Sequence, residues 1–85
     1  MIAESVAAET VTRHLGAVLG IDPAAIDPGA VLVALPGAES LRLMESLVRI
    51  EDELGVELIA QDEQLLMVRT VGDLVGLVVR TGAPA

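Results

Sequence analysis

The chain contains no cysteine, no Phe, Tyr or Trp, no Lys, and a single histidine. Without cysteine there is no disulfide, no thiolate nucleophile and no cysteine-based metal site. His14 alone cannot build a histidine-rich metal centre, so no metal is expected. Without aromatic rings the core must be made from Leu, Val, Ile, Met and Ala. Cations are scarce as well. The 5 basic residues, all Arg, face 13 Asp and Glu, which gives a net charge of -8. That balance argues against nucleic acid, whose phosphates require a basic patch, and disfavours anionic membrane surfaces. It suits solubility and partners that present basic patches. No apolar run is long enough to span a bilayer, and the N-terminus lacks a charged-then-apolar signal pattern. A cytoplasmic monomer is expected, free-standing because the chain starts at Met1. Its 85 residues are expected to form one domain over 1–80 with a frayed tail over 81–85. Such a small domain buries only about 60% of its unfolded surface.

What is present is helical periodicity. Residues 3–19 place Ala8, Val11, Leu15, Val18 and Leu19 on one face, with Ala7 beside them, while Ile2 and Val6 fall off it. Glu9 and Arg13 form an i,i+4 pair in the favourable order. Gly16 inside this helix costs about 1 kcal/mol against Ala, which implies a close packing neighbour. His14 lies at the edge of the apolar face, with no acid or nucleophile at helical spacing to work with it. Gly20 ends the helix.

Residues 20–38 form a long connection with turn signals at Asp22-Pro23, Asp27-Pro28-Gly29 and Pro36-Gly37. Ile21, Ile26, Leu32 and Leu35 punctuate it and let it lie across the other helices. A short turn capped by Asp22, with Pro23 at its first position, is expected.

A strongly amphipathic helix follows, ending near Leu54. At about 100° per residue, Leu41, Leu43, Met44, Leu47, Val48, Ile50 and Leu54 fall in one half of the wheel. Arg42, Glu45, Ser46, Arg49, Asp52 and Glu53 fall in the other. Glu51 lands inside the apolar half and is expected near its edge or reaching out to water. A short helix over 61–67 and a last helix after Thr70 complete the chain. Thr70-Val71-Gly72-Asp73 has the form of a capping box, and the last helix ends near Arg80. The expected fold is all-α: a small four-helix bundle of three longer helices and one short one, with a long loop between helices 1 and 2.

Ser40 stands where a turn becomes a helix. Taken alone it reads as an N-cap, without the capping box, since position 43 is Leu. As a nucleophile it would need an oriented base, and no Gly-x-Ser-x-Gly elbow surrounds it: position 38 is Ala and position 42 is Arg. The run Gly37-Ala38-Glu39-Ser40-Leu41, followed by an apolar helix and then Glu51-Asp52-Glu53-Leu54-Gly55-Val56-Glu57-Leu58, resembles the acyl carrier protein family. That family's motif is Gly-x-Asp-Ser-Leu with an acidic helix end. The loop Leu19-Gly20-Ile21-Asp22-Pro23, Ile26-Asp27-Pro28 and Leu32 matches too, so the resemblance covers roughly residues 5–80 and shares the bundle architecture.

The resemblance implies that Ser40 bears a covalent 4′-phosphopantetheine taken from coenzyme A by a magnesium-dependent phosphopantetheinyl transferase. The protein would then be a carrier and not an enzyme. An acyl- or aminoacyl-loading enzyme and ketosynthase-type or condensation-type synthases would be its further partners. Glu39, Glu45, Glu51 and Asp52 match positions shown to such partners, and Leu41, Met44 and Val48 match apolar contact positions whose other role is core packing. The cleft between helices is a candidate shelter for an acyl chain. Glu39 stands where the family usually has Asp, Pro36 where it has Leu, and Arg42 and Ser46 at an often acidic and an often apolar position. These departures point to a polyketide or nonribosomal-peptide-type pathway. The alternatives are a fatty-acid carrier and an unmodified helical interaction domain.

Overall fold

A computed structural model describes residues 1–82. The order is α1 (Glu4–Leu19), α2 (Ser40–Leu54), α3 (Asp62–Leu66) and α4 (Val71–Thr81), with short 3-10 turns at Pro23–Ala25 and Leu32–Ala34 in the first connection. The four-helix bundle expected from periodicity is the fold observed. Helix α1 is its centre and packs against both α2 and α4, while α3 leans on α4. Ala7, Val11 and Leu15, one turn apart on α1, are fully buried against Ile50 of α2 and Leu74, Leu77 and Val78 of α4. An all-aliphatic core closes without aromatic rings because three amphipathic stripes meet on one central helix.

The long connection is fastened at both ends. Asp22 Oδ1 accepts from the Ala24 amide (2.9 Å), which caps the first 3-10 turn with Pro23 in its first position, as expected. Further on, Val31 bridges Thr70 in antiparallel fashion. The Leu32 amide donates to Arg69 O and the Val71 amide to Ala30 O, both at 2.9 Å. Ile26 is buried. The loop is therefore a strap across the α3–α4 junction. The same junction carries the expected capping box, Thr70 Oγ1 accepting from the Asp73 amide (3.0 Å) and Asp73 Oδ2 from that of Thr70 (3.1 Å).

Gly16 has the close neighbour its position implied. A Cβ there would stand 2.5 Å from the Ile21 carbonyl oxygen and 3.0 Å from Pro23 Cγ. The Gly16 carbonyl accepts from the Gly20 and Ile21 amides, so the chain folds directly back over it. Gly16→Ala adds about 1 kcal/mol of helix propensity but forces a backbone shift of the kind that costs about 1–3 kcal/mol. A net loss of about 1 kcal/mol is expected, read by urea unfolding.

Two expectations are corrected and a third is narrowed. Thr81 lies inside α4 and the Gly82 amide donates to Val78 O at 2.9 Å, so these two residues belong to the fold and not to a tail. The rest of that tail, 83–85, lies outside the described residues. Ser46, placed on the polar half of α2, is buried at 1% exposure. It shares the inward stripe of Leu43, Leu47 and Ile50 because i, i+3, i+4 and i+7 lie together. Glu51, half-buried, stays at the edge of the apolar half, and of its two expected placements the reach into water is the one not taken. Its Oε2 accepts from the amides of Leu58 (2.6 Å) and Ile59 (2.9 Å), tying the loop after α2 back to the helix.

An ion cluster joins α1 to the end of α2. Arg13 Nε donates to Glu9 Oε1 at 2.8 Å and its Nη2 to Glu53, which also meets His14 Nε2 at 2.9 Å. The Arg13 guanidinium, helped by the His14 ring, brings the Glu53 carboxyl down from 4.5 to about 2. Arg13 lowers Glu9 as well, and the Thr70 and Arg69 amides lower Asp73. A carboxylate depressed in the folded state contributes stability that is complete above its unfolded pKa and is lost as pH falls through the folded one. The thermal midpoint should therefore decline as pH drops from about 4.5 towards 2. Glu53→Gln should flatten that decline, and salt should weaken the effect because these groups are exposed.

Candidate functional site

Helix α2 begins from a tight turn. The Ala38 amide donates to Leu35 O at 3.0 Å across Pro36-Gly37, and Gly37 has φ 76°. Pro at the second and a left-handed Gly at the third position is the type II arrangement, so Pro36 is placed by the turn's own geometry. Glu39 is the N-cap, extended at φ -83° and ψ 154°, and its carbonyl accepts from the Leu43 amide. Ser40 is the first helical residue and not the cap. No side chain makes a cap bond there. The Ser40 side chain is exposed, beside first-turn amides that have no partner within the helix. A free hydroxyl beside unpaired amides and the positive end of a long helix suits attachment of a phosphodiester.

Beyond Ser40 the wide apolar half of α2 divides into two stripes. Leu43, Leu47, Ile50 and Leu54 turn inward, while Leu41 is 81% exposed and Met44 and Val48 are 43% exposed. These last three share a shallow outer groove with Arg42 and Glu45. Glu39 at the N-cap and Glu45 and Asp52 along the helix are exposed, so the structure places Glu45 beside the apolar three and Glu39 and Asp52 towards the two ends of the same helix, whereas the Glu51 carboxylate is engaged by backbone. Arg42, exposed on the same surface, donates from Nη1 to Val18 O at the end of α1 (3.2 Å). That bond lends a cation to the negative end of α1.

Behind α2 lies a cleft of about 350 Å³. Leu15, Leu43, Leu47, Leu65 and Leu74 form its wall together with the buried Ser46, and Val33 and Arg69 stand exposed on its lining. Small cores seldom retain such a space. It exists here because the strap of the first connection spans α2 and the α3–α4 junction without filling the gap between them.

Residues 9–78 match the protein family described as the phosphopantetheine attachment site. The chain belongs to the acyl carrier protein family. Among the proteins it resembles is an acyl carrier protein from Solidesulfovibrio magneticus, 35% identical over 71 residues that make up 84% of this chain and 88% of that protein. A carrier of this family bears 4′-phosphopantetheine covalently and works with enzymes that attach and use it. The surroundings of Ser40 fit such a group: an exposed hydroxyl, unpaired amides and, behind the same helix, an apolar cleft. Among the described residues no His, Asp and Glu cluster that could hold a metal is found, and no helix is long and apolar enough to cross a membrane.

Sequence reasoning missed Ser46 in the cleft wall, the Glu51 clamp and the pairing of His14 with Glu53. Only Glu51 left a signal: a carboxylate inside an apolar half-wheel, a few residues before a glycine turn, needs a donor to be tolerated there.

Proposed function

We propose that Ser40 is the residue that bears the 4′-phosphopantetheine and that the carrier serves a polyketide or nonribosomal-peptide-type pathway. One observation carries the assignment of the site: Ser40 is exposed at the first position of α2 and its hydroxyl caps nothing. The group supplies a flexible arm and a thiol on which acyl chains ride as thioesters. The chain's own residues hold and present that arm. The first-turn amides of α2 sit beside the attachment point. Glu39, Glu45 and Asp52 offer negative charge to basic partner surfaces, and Leu41, Met44 and Val48 offer apolar contact. Glu51 stands behind this face and keeps the loop beneath it in place. The partners are a phosphopantetheinyl transferase, a loading enzyme and a condensing synthase, and the setting is the cytoplasm.

The carrier itself supplies no catalysis in this account. The lone imidazole is bound to Glu53. At the helical rise of about 1.5 Å per residue, Glu53 lies about 20 Å along α2 from Ser40. A serine nucleophile would have no base within reach.

Pathway type rests on the departures at Glu39, Arg42 and Ser46. Arg42 breaks the acidic run of the recognition helix, and Ser46 makes the cleft polar at one point. Reconstituted fatty-acid synthesis tests this. The holo protein should support much less flux than a fatty-acid carrier, and equal flux would assign it to fatty-acid synthesis. Reversing Glu45 or Asp52 to Arg should lower the transferase kcat/KM several-fold, with the difference shrinking as salt is added.

A further inference from the structure

We infer that the cleft behind α2 selects a β-hydroxyacyl chain over a saturated one, with Ser46 as the residue that tells them apart. The inference rests on the carrier reading above. Ser46 is 1% exposed, lines the cleft, and is the buried polar side chain in a wall otherwise made of leucines, valines and the exposed Arg69. Its Oγ donates to the Arg42 carbonyl one turn back, at 3.0 Å. That bond occupies the hydroxyl's one proton and leaves its lone pairs as acceptors. A saturated chain in the cleft would bring no donor to those lone pairs, which are already shut away from water. A chain bearing a hydroxyl adds a hydrogen bond and breaks none.

Other cargo chemistries fit less well. A ketone gains a bond only by drawing the Ser46 proton away from Arg42 O, an exchange without net gain. An aminoacyl ammonium would bring an unpaired charge into an apolar wall, at far greater cost than an uncharged polar group. The volume of about 350 Å³ lies at the small end of ligand pockets, which run from about 300 to 1,000 Å³, and suits a short chain.

The test loads the full-length protein with octanoyl- or β-hydroxyoctanoyl-phosphopantetheine from the corresponding coenzyme A thioesters. Loading is first confirmed by intact mass. Cleavage by hydroxylamine is then timed for each loaded protein and divided by the rate of the matching free pantetheine thioester. The wild type should protect the β-hydroxy chain about threefold or more better than the saturated one, the effect of one net hydrogen bond. Ser46→Ala should erase that preference, and Ser46→Thr, which keeps the hydroxyl, should retain it. The Ser46 amide resonance should also shift more with the β-hydroxy chain than with the saturated one. Equal protection in the wild type, or an unchanged preference in Ser46→Ala, overturns the inference and leaves the carrier reading intact. Failure to gain mass overturns the carrier reading, and this inference with it.

Discussion

Ser40→Ala is expected to abolish phosphopantetheine loading completely while changing the unfolding free energy by no more than about 0.5 kcal/mol. These two outcomes together separate an attachment serine from a capping one. A serine that caps a helix costs about 1 kcal/mol when replaced by Ala, because a first-turn amide loses its acceptor. Here the cap position belongs to Glu39 and no side chain bonds to the first-turn amides. Removing the Ser40 hydroxyl therefore breaks no internal bond, and Ala is the better helix former at the first helical position. Intact mass after treatment with a transferase reads the loading, and urea unfolding reads the stability. A loss near 1 kcal/mol with unchanged loading would mean that the hydroxyl is structural.

Glu51→Ala is expected to cost about 2–3 kcal/mol, less than the full sum of two charge-assisted bonds at about 1.5–3 kcal/mol each because the site is half-buried and water takes over part of the loss. Oε2 of Glu51 holds the Leu58 and Ile59 amides, and the loop they anchor delivers Val56 and the fully buried Leu58 to the core. Without the carboxylate those donors lose their partner just where the chain must turn inward. Total stability for a domain of this length is on the order of 4–13 kcal/mol, so the change removes a large share of it. Glu51→Gln keeps an acceptor oxygen and loses only the charge, and should cost about half as much. Urea midpoints of the two variants, measured beside the wild type, check the order. An alanine variant as stable as the wild type would mean that water replaces Glu51 without loss.

The parts of the fold legible in the sequence were those set by local rules. Helical periodicity, Asp22-Pro23, Pro36-Gly37 and the Thr70–Asp73 box each act within a few residues, and each formed as its local chemistry requires. Gly16 announced a close contact, although not that its neighbour would be Ile21 and Pro23. The illegible parts depend on pairings across the chain. His14 has no acid at helical spacing because its partner Glu53 is 39 residues away, and no spacing rule reaches that far. The apolar half of α2 was too wide for the bundle to cover. A wheel alone does not say whether Leu41, Met44 and Val48 or Ser46 faces inward. That choice follows from where α1 and the strap lie. At the site, the motif located Ser40 at the turn-to-helix junction, but only backbone geometry shows that Glu39 takes the capping position and leaves the serine hydroxyl free.

The most direct test of the central claim is the intact mass and peptide map of the wild-type protein after incubation with coenzyme A, magnesium and a broad-specificity phosphopantetheinyl transferase. The expected result is a gain of one phosphopantetheinyl group, confined to the peptide that contains Ser40. The account is contradicted by a protein that gains no mass with several transferases while circular dichroism shows an intact helical fold, or by a group that maps to Ser5 or Ser46.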